Sequence, residues 1–296
     1  MRFGAVACLL VLELGQPLRP ANAADRGPDI AIDDEFFRGE QAWKASCPKP
    51  TEDGGCDQLR EPALVAEARR RFLTVQQLWR RLGRGVHQPR TPPVRHRVAE
   101  LFETDPGMDP KASIGPAEPG AAHAAAGAAF YLAEAEWEAF ARMKPPPDLN
   151  LPRYFPAADL VEQPRPGWSP QFRRRLETFV TRKLDQLARA RRLYLAAFAF
   201  RAPPFDVAAA ARIGQLYQVF DQDVPGDLLD GKAATAFERC FDMSAKRARY
   251  DEWFRLCDRE LTVLRPVEFP KTNEVVPEES ADAVGITAIP VIRRLE

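Results

Sequence analysis

The chain has 296 residues, in which 42 Lys plus Arg offset 42 Asp plus Glu. That balance gives no overall positive field of the kind that gathers nucleic acid, and the length is ample for a sizeable buried core. Ala is heavily used, Gly is modest at 17, and 28 Pro punctuate the chain, a mixture that favours helices separated by stiff connections.

The chain opens with a charged start at Arg2 and an apolar run from Phe3 to Leu14, interrupted by Glu13. Pro17, Pro20 and Ala21-Asn22-Ala23 follow. This is the layout of a cleavable signal peptide over residues 1–23, with cleavage expected after Ala23. The run is too short to span a bilayer and no longer one follows, so the mature protein is expected in the periplasm or at the outer membrane, with no transmembrane segment. The rival reading, a lipoprotein acylated on Cys8, leaves almost no apolar region ahead of that cysteine.

Residues 24–62 are polar and broken by Pro and Gly, and are read as an N-terminal cap with a short helical piece around Phe36 to Ala45. A first helical lobe is expected over 63–147. There Leu64, Ala68, Phe72, Val75, Leu78, Trp79 and Leu82 recur at three- and four-residue steps and Gly83 ends the stripe. Val94 to Glu103 suits a shorter helix, and an Ala-rich helix runs from Gly120 to about Met143, with Phe130, Ala133, Trp137 and Phe140 on one face, stopped by Pro145-Pro146-Pro147. Residues 148–170, rich in Pro, are taken as the connection between two lobes.

The second lobe, 171–265, shows cleaner periodicity. Leu176, Phe179, Leu184, Leu187, Arg191, Tyr194 and Phe198 mark a long helix, followed by helices over Val207–Phe220, Lys232–Lys246 and Tyr250–Leu264, with Asp206 placed as an N-cap. Gly214, between Ile213 and Leu216, suggests close approach of a neighbouring helix. The tail, 266–296, is expected to be extended.

Loss of the signal leaves Cys47, Cys56, Cys240 and Cys257, an even set in an oxidising compartment. Cys47 and Cys56 flank a turn-forming run through Pro48, Pro50, Gly54 and Gly55. Cys240 and Cys257 lie symmetrically about the break at Ala248 and Arg249, so on antiparallel helices their sulfurs meet. Structural bridges are preferred to a zinc site, because the two-residue knuckles of such sites are missing.

The runs Ala208-Ala-Ala-Ala-Arg212-Ile-Gly-Gln-Leu-Tyr217-Gln-Val-Phe220, Ala233-Ala234-x-x-Phe237-x-x-Cys240 and Tyr250-x-x-Trp253-x-x-x-Cys257-x-x-x-Leu261-x-x-Leu264-x-Pro266, with Tyr131-Leu-Ala-Glu-Ala135 in the first lobe, pair small residues with aromatics. This resembles tetratricopeptide-repeat-like exported helical proteins of the bacterial cell envelope, over roughly Leu64 to Pro270 and without a strict 34-residue register. The resemblance implies an all-α fold of antiparallel hairpins stacked as a short solenoid with a groove. Its motif residues are packing residues, so it transfers no binding position.

No constellation for catalysis, metal or cofactor emerges. His87, His96 and His123 lack metalloprotease spacing, and GxSxG, phosphate-loop and haem motifs are missing. Glu134, Glu136 and Glu138, beside Trp137, read as a solvated helix face, and Glu279 sits in the Pro-flanked tail, where nothing desolvates it. The basic segment containing Arg80, Arg81, Arg84, Arg90, Arg95 and Arg97, and the aromatics Tyr131 and Tyr217 on the hairpins, are the candidate partner-binding residues; Trp137 and Trp253 occupy similar packing positions. The expectation is a non-catalytic exported scaffold that binds other cell-envelope or outer-membrane proteins, possible members of a trans-envelope or motility-type assembly. Binding or cleavage of peptidoglycan or an envelope polysaccharide is the alternative.

Overall fold

The structure, a computed structural model, describes residues 28–51, 55–82, 108, 120–147, 149, 169–224 and 229–270. The expected signal segment, the helix expected over 94–103, most of the connection and the tail beyond residue 270 lie outside the described residues. Within them the chain forms seven helices: α1 Pro28–Ala45, α2 Pro62–Arg81, α3 Ala121–Arg142, α4 Pro170–Ala199, α5 Phe205–Asp223, α6 Asp230–Lys246 and α7 Glu252–Leu264. Apart from one bridge between Pro50 and Cys56, no β-pairing occurs among the described residues, and none of their helices is long and apolar enough to cross a membrane.

Local chemistry explains several ends. Pro62 and Pro170 open α2 and α4, where the missing N–H costs nothing, and the Ser169 hydroxyl accepts from the Phe172 N–H at 3.1 Å. Asp251 caps α7, accepting from the N–H groups of Trp253 and Phe254. Asp206 does not cap α5 as expected. It lies inside the first turn, 1 % exposed, where one oxygen accepts from the Val207 N–H and the other from Arg247 at 2.7 Å. The helix is thereby tied to the far end of α6, a contact that sequence spacing cannot foresee.

The N-terminal segment is more than a polar cap. α1 is a full helix of 18 residues, and Ile32, Phe36 and Trp43 bury one stripe of it against α2 and α3. Each helix packs on the next in sequence. The odd-numbered ones also pack on the next but one, so that α1, α3, α5 and α7 share a layer, while the even-numbered helices make no comparable contacts with one another. α3 is central, and from Ala124 to Phe130 every residue is buried, which small side chains permit on all faces at once.

Two glycines set helix spacing, Gly127 within this layer and Gly214 between α5 and α6. A methyl group on Gly127 would run into the ring of Phe36 and lie 2.7 Å from Phe205, and one on Gly214 would lie 2.6 Å from Phe237. The close approach expected at Gly214 is therefore the meeting of α5 with α6. One cluster of buried side chains runs from Ile32 to Leu261, and α3 and α4, on either side of the Pro-rich connection, share an extensive contact.

Both cysteine pairs are bonded. Cys47 and Cys56 have Cα atoms 5.7 Å apart, and Cys240 and Cys257, 6.3 Å apart, pin α6 to α7 across a turn in which Ala248 adopts positive φ. A further tie closes the C-terminal end of α3. The Lys183 ammonium, fully buried, donates to the carbonyls of Phe140 and Met143 and to Asp223 at 2.7–2.8 Å. Burial lowers the pKa of this lysine, with the Asp223 carboxylate opposing the shift.

Candidate functional site

A cavity of about 450 Å³ opens on the odd-helix layer. Its floor is α3, which presents His123, Phe130, Tyr131 and Glu134 at steps that keep one face of a helix. Phe36, Glu40, Trp43 and Lys44 of α1, with Cys47, Gly55 and Arg60 of the disulfide loop, form one wall. Phe205, Ala208 and Arg212 of α5 and the first turn of α7, Glu252 and Trp253, form the other. No residue of α2, α4 or α6 contributes. From His123 to Glu134 the floor is about 16 Å long at the usual helical rise.

The two ends differ in chemistry. Near His123 the walls are aromatic: Phe36 and Phe205 meet edge to face at 5.8 Å, His123 packs on both, and its Nδ1 lies 3.1 Å from the Pro203 carbonyl. At the other end the charged groups are paired. Glu134, 2 % exposed, takes both arms of the fully buried Arg212, Nε at 2.9 Å and Nη2 at 3.0 Å, and accepts from the Tyr194 hydroxyl at 2.5 Å. Arg212 is held between Trp137 and Trp253, at 5.3 and 5.0 Å from the ring centres, and its Nη1 donates to Gln215.

Tyr131 donates to Glu40 at 2.7 Å, and Lys44 lies 3.0 Å from the same oxygen. Arg60 stacks on Trp43 at 3.9 Å and donates through Nε to Glu138 at 2.6 Å and through Nη1 to the Trp43 carbonyl and the Ser46 hydroxyl. Burial, and then the neighbouring carboxylates Glu134 and Glu40, raise the Tyr194 and Tyr131 hydroxyls above the ordinary tyrosine value, so both stay hydrogen-bond donors.

The sequence-level expectation for Glu134 and Glu138 is corrected here. Neither faces solvent, being 2 % and 7 % exposed, because Arg212 and Tyr194 meet the first and Arg60 and Arg142 the second. Glu134 accepts on both oxygens, from a bidentate arginine and from a phenol. The pair is an anchor between α3 and α5. The half-buried Glu136 accepts from Gln186.

Of the candidate partner-binding residues, Tyr131 lines the cavity, with its ring stacked on Phe72 at 5.2 Å. Tyr217 is fully buried in the α5 core and presents nothing to a partner, since its helical position turns it toward the neighbouring helices. Arg80 and Arg81 are exposed at the end of α2; Arg84, Arg90, Arg95 and Arg97 lie outside the described residues. Sequence reasoning missed Arg60, Trp43, Glu40 and Phe205. For α1, the recurrence of Ile32, Phe36 and Trp43 was a usable signal, whereas nothing local marked Arg60. No protein-family model, curated protein or solved structure matches this chain.

Proposed function

We propose that the chain is an exported, non-catalytic helical adaptor that holds another cell-envelope protein in the cavity described above, as part of a larger envelope assembly. The observation that carries the reading is the composition of this cavity. Its walls are largely aromatic, and five of its charged side chains are already paired inside the protein, Glu134 with Arg212, Glu40 with Lys44, and Arg60 with Glu138, which does not line it. Such a surface is built to bind rather than to transfer protons.

The alternation of helices supports the tetratricopeptide-like part of the reading. In such solenoids one helix of each pair lines the concave face, and here the helices that line the cavity are α1, α3, α5 and α7, joined by the disulfide loop. The two disulfides are compatible with an exported chain. Polysaccharide binding is the weaker reading, because sugar rings stack on open aromatic faces, and Trp43 and Trp253 each already carry a guanidinium on one face.

The test is site-specific photocrosslinking in the envelope. A photoreactive residue at Lys44 or Glu252, both on the cavity, should capture a small recurring set of exported proteins, and one at Arg182, exposed on α4, should not. Equal background from all three positions would refute the adaptor reading.

A further inference from the structure

Arg60 is a buried cation of the cavity whose hydrogen-bonding capacity is not filled by the described residues. Its side chain is 5 % exposed, and its Nε and Nη1 are committed to Glu138, the Trp43 carbonyl and the Ser46 hydroxyl. The remaining nitrogen, Nη2, meets no acceptor among the described residues. Nη2 is not sealed from solvent, so its two N–H groups are open to an acceptor that a ligand brings in place of water.

The local charge points the same way. Glu138 is shared between Arg60 and Arg142, both at 2.6 Å, so this three-residue cluster carries one excess positive charge. Of the other carboxylates of the cavity, Glu134 is held by Arg212 and Glu40 by Lys44 and Tyr131, and Glu252 is exposed at the rim, where solvent screens it. Beside Arg60 lie Trp43 and Tyr131, and the floor leads on to Phe130, Phe205 and Phe36. A volume of about 450 Å³ suits a body of the size of one or two aromatic side chains or a small organic acid.

We propose that this cavity binds a carboxylate carried on an apolar, aromatic-sized body, with Nη2 of Arg60 taking the carboxylate and the aromatic walls taking the body. The proposal rests on the cavity being the receiving surface of the adaptor. Two sources share this chemistry, the free C-terminus of a peptide with apolar last residues and a small free acid. In either case the guanidinium is already oriented by Trp43, Glu138 and Ser46, so little ordering is needed on binding.

Trp43 and Trp253 line the cavity, so tryptophan fluorescence of the oxidised full chain reports occupancy. Three probes are titrated: a hexapeptide ending in leucine-phenylalanine with a free carboxylate, the same peptide amidated at its C-terminus, and phenylacetate. The acid peptide should bind at least about tenfold more tightly than the amide, the ratio expected for one charge-assisted contact. Arg60→Gln should bring the two peptides together. Because Arg60 also ties the disulfide loop to α1, the acid-to-amide ratio of the unaltered protein carries the test without any variant. Saturable binding of phenylacetate without binding of the acid peptide supports the carboxylate site and makes a small acid its source. Equal binding of acid and amide overturns the carboxylate site while leaving the adaptor reading intact. Failure of all three probes overturns the proposal, and the photocrosslinking pattern then decides the adaptor reading separately.

Discussion

Replacing Arg212 by Met is the sharpest probe of the cavity floor. The substitution keeps an unbranched stem but not the guanidinium between Trp137 and Trp253, and it removes both bonds to Glu134 and the bond to Gln215. Glu134 is left with only the Tyr194 hydroxyl, in a place where its side chain is 3 % exposed. Orphaning a buried charge costs about 3–5 kcal/mol, against a total stability of about 5–15 kcal/mol for a typical domain. Urea unfolding of the oxidised protein, followed by helical circular dichroism, measures the loss. Adding Glu134→Gln discharges the orphan while keeping an acceptor for Tyr194, so the double variant should recover at least about half of the loss, and the complete cycle yields the coupling between the pair. The penalty in Arg212→Met should also shrink as the pH falls. The orphaned carboxyl would hold its proton more tightly in the folded than in the unfolded state, so folded and unfolded forms become alike in charge below the unfolded value of about 4.3. A loss under about 1 kcal/mol, as for an exposed pair, or no recovery in the double variant, would refute the anchor role.

Gly214→Leu should lower the melting temperature through a loss of roughly 2 kcal/mol or more, because Phe237, itself fully buried, occupies the space; an unchanged melting temperature would argue against this packing. Cys240→Ser opens a link of sequence separation 17 and should cost about 3 kcal/mol. Thiol titration of the unfolded variant should then find one new free thiol, Cys257, and titration of the unaltered protein should find Cys47, Cys56, Cys240 and Cys257 all oxidised. At alkaline pH, Tyr131 and Tyr194 keep their protons in the folded state after the unfolded chain has lost them near pH 10. The unfolded state then binds fewer protons, so stability is intact below about pH 10 and falls above it. Tyrosinate absorbance from these two residues should rise only together with loss of the helical signal, and titration of every tyrosine in the ordinary range with helicity intact would refute their burial.

The helices were legible to different degrees for a common reason. α2, α4 and α7 carry an apolar stripe on a polar background; the stripe places α2 and α7 within two residues of their observed ends, whereas in α4 it starts at Leu176, six residues inside the observed start at Pro170. α1 was read short because Asp29, Asp33, Asp34 and Glu35 dilute its stripe, and contact with Phe72, Tyr131 and Phe205 of other helices makes Phe36 a core residue. In α3 the stripe marks one face, yet the Ala-rich half is buried on all of them. The acids of α3 misled because burial of a charge is decided by its partner, and these partners stand 60 to 78 residues away, at Tyr194, Arg212 and Arg60.

What the amino-acid sequence determines alone is what neighbouring residues can decide among themselves. Helical class follows from composition and from apolar steps of three and four. The caps at Ser169 and Asp251 follow from a side chain reaching an N–H two or three residues on, and the Cys240 to Cys257 link follows from equal distances to a turn. Tertiary structure decides which helices share a layer, and with it the cavity. A helix presents several faces of comparable polarity, and only the space left by Gly127 and Gly214 selects the faces that meet. The same assembly brings Arg60 beside Trp43 and Glu138 and seats Arg212 on Glu134, since charges are buried only where a distant partner makes their desolvation tolerable.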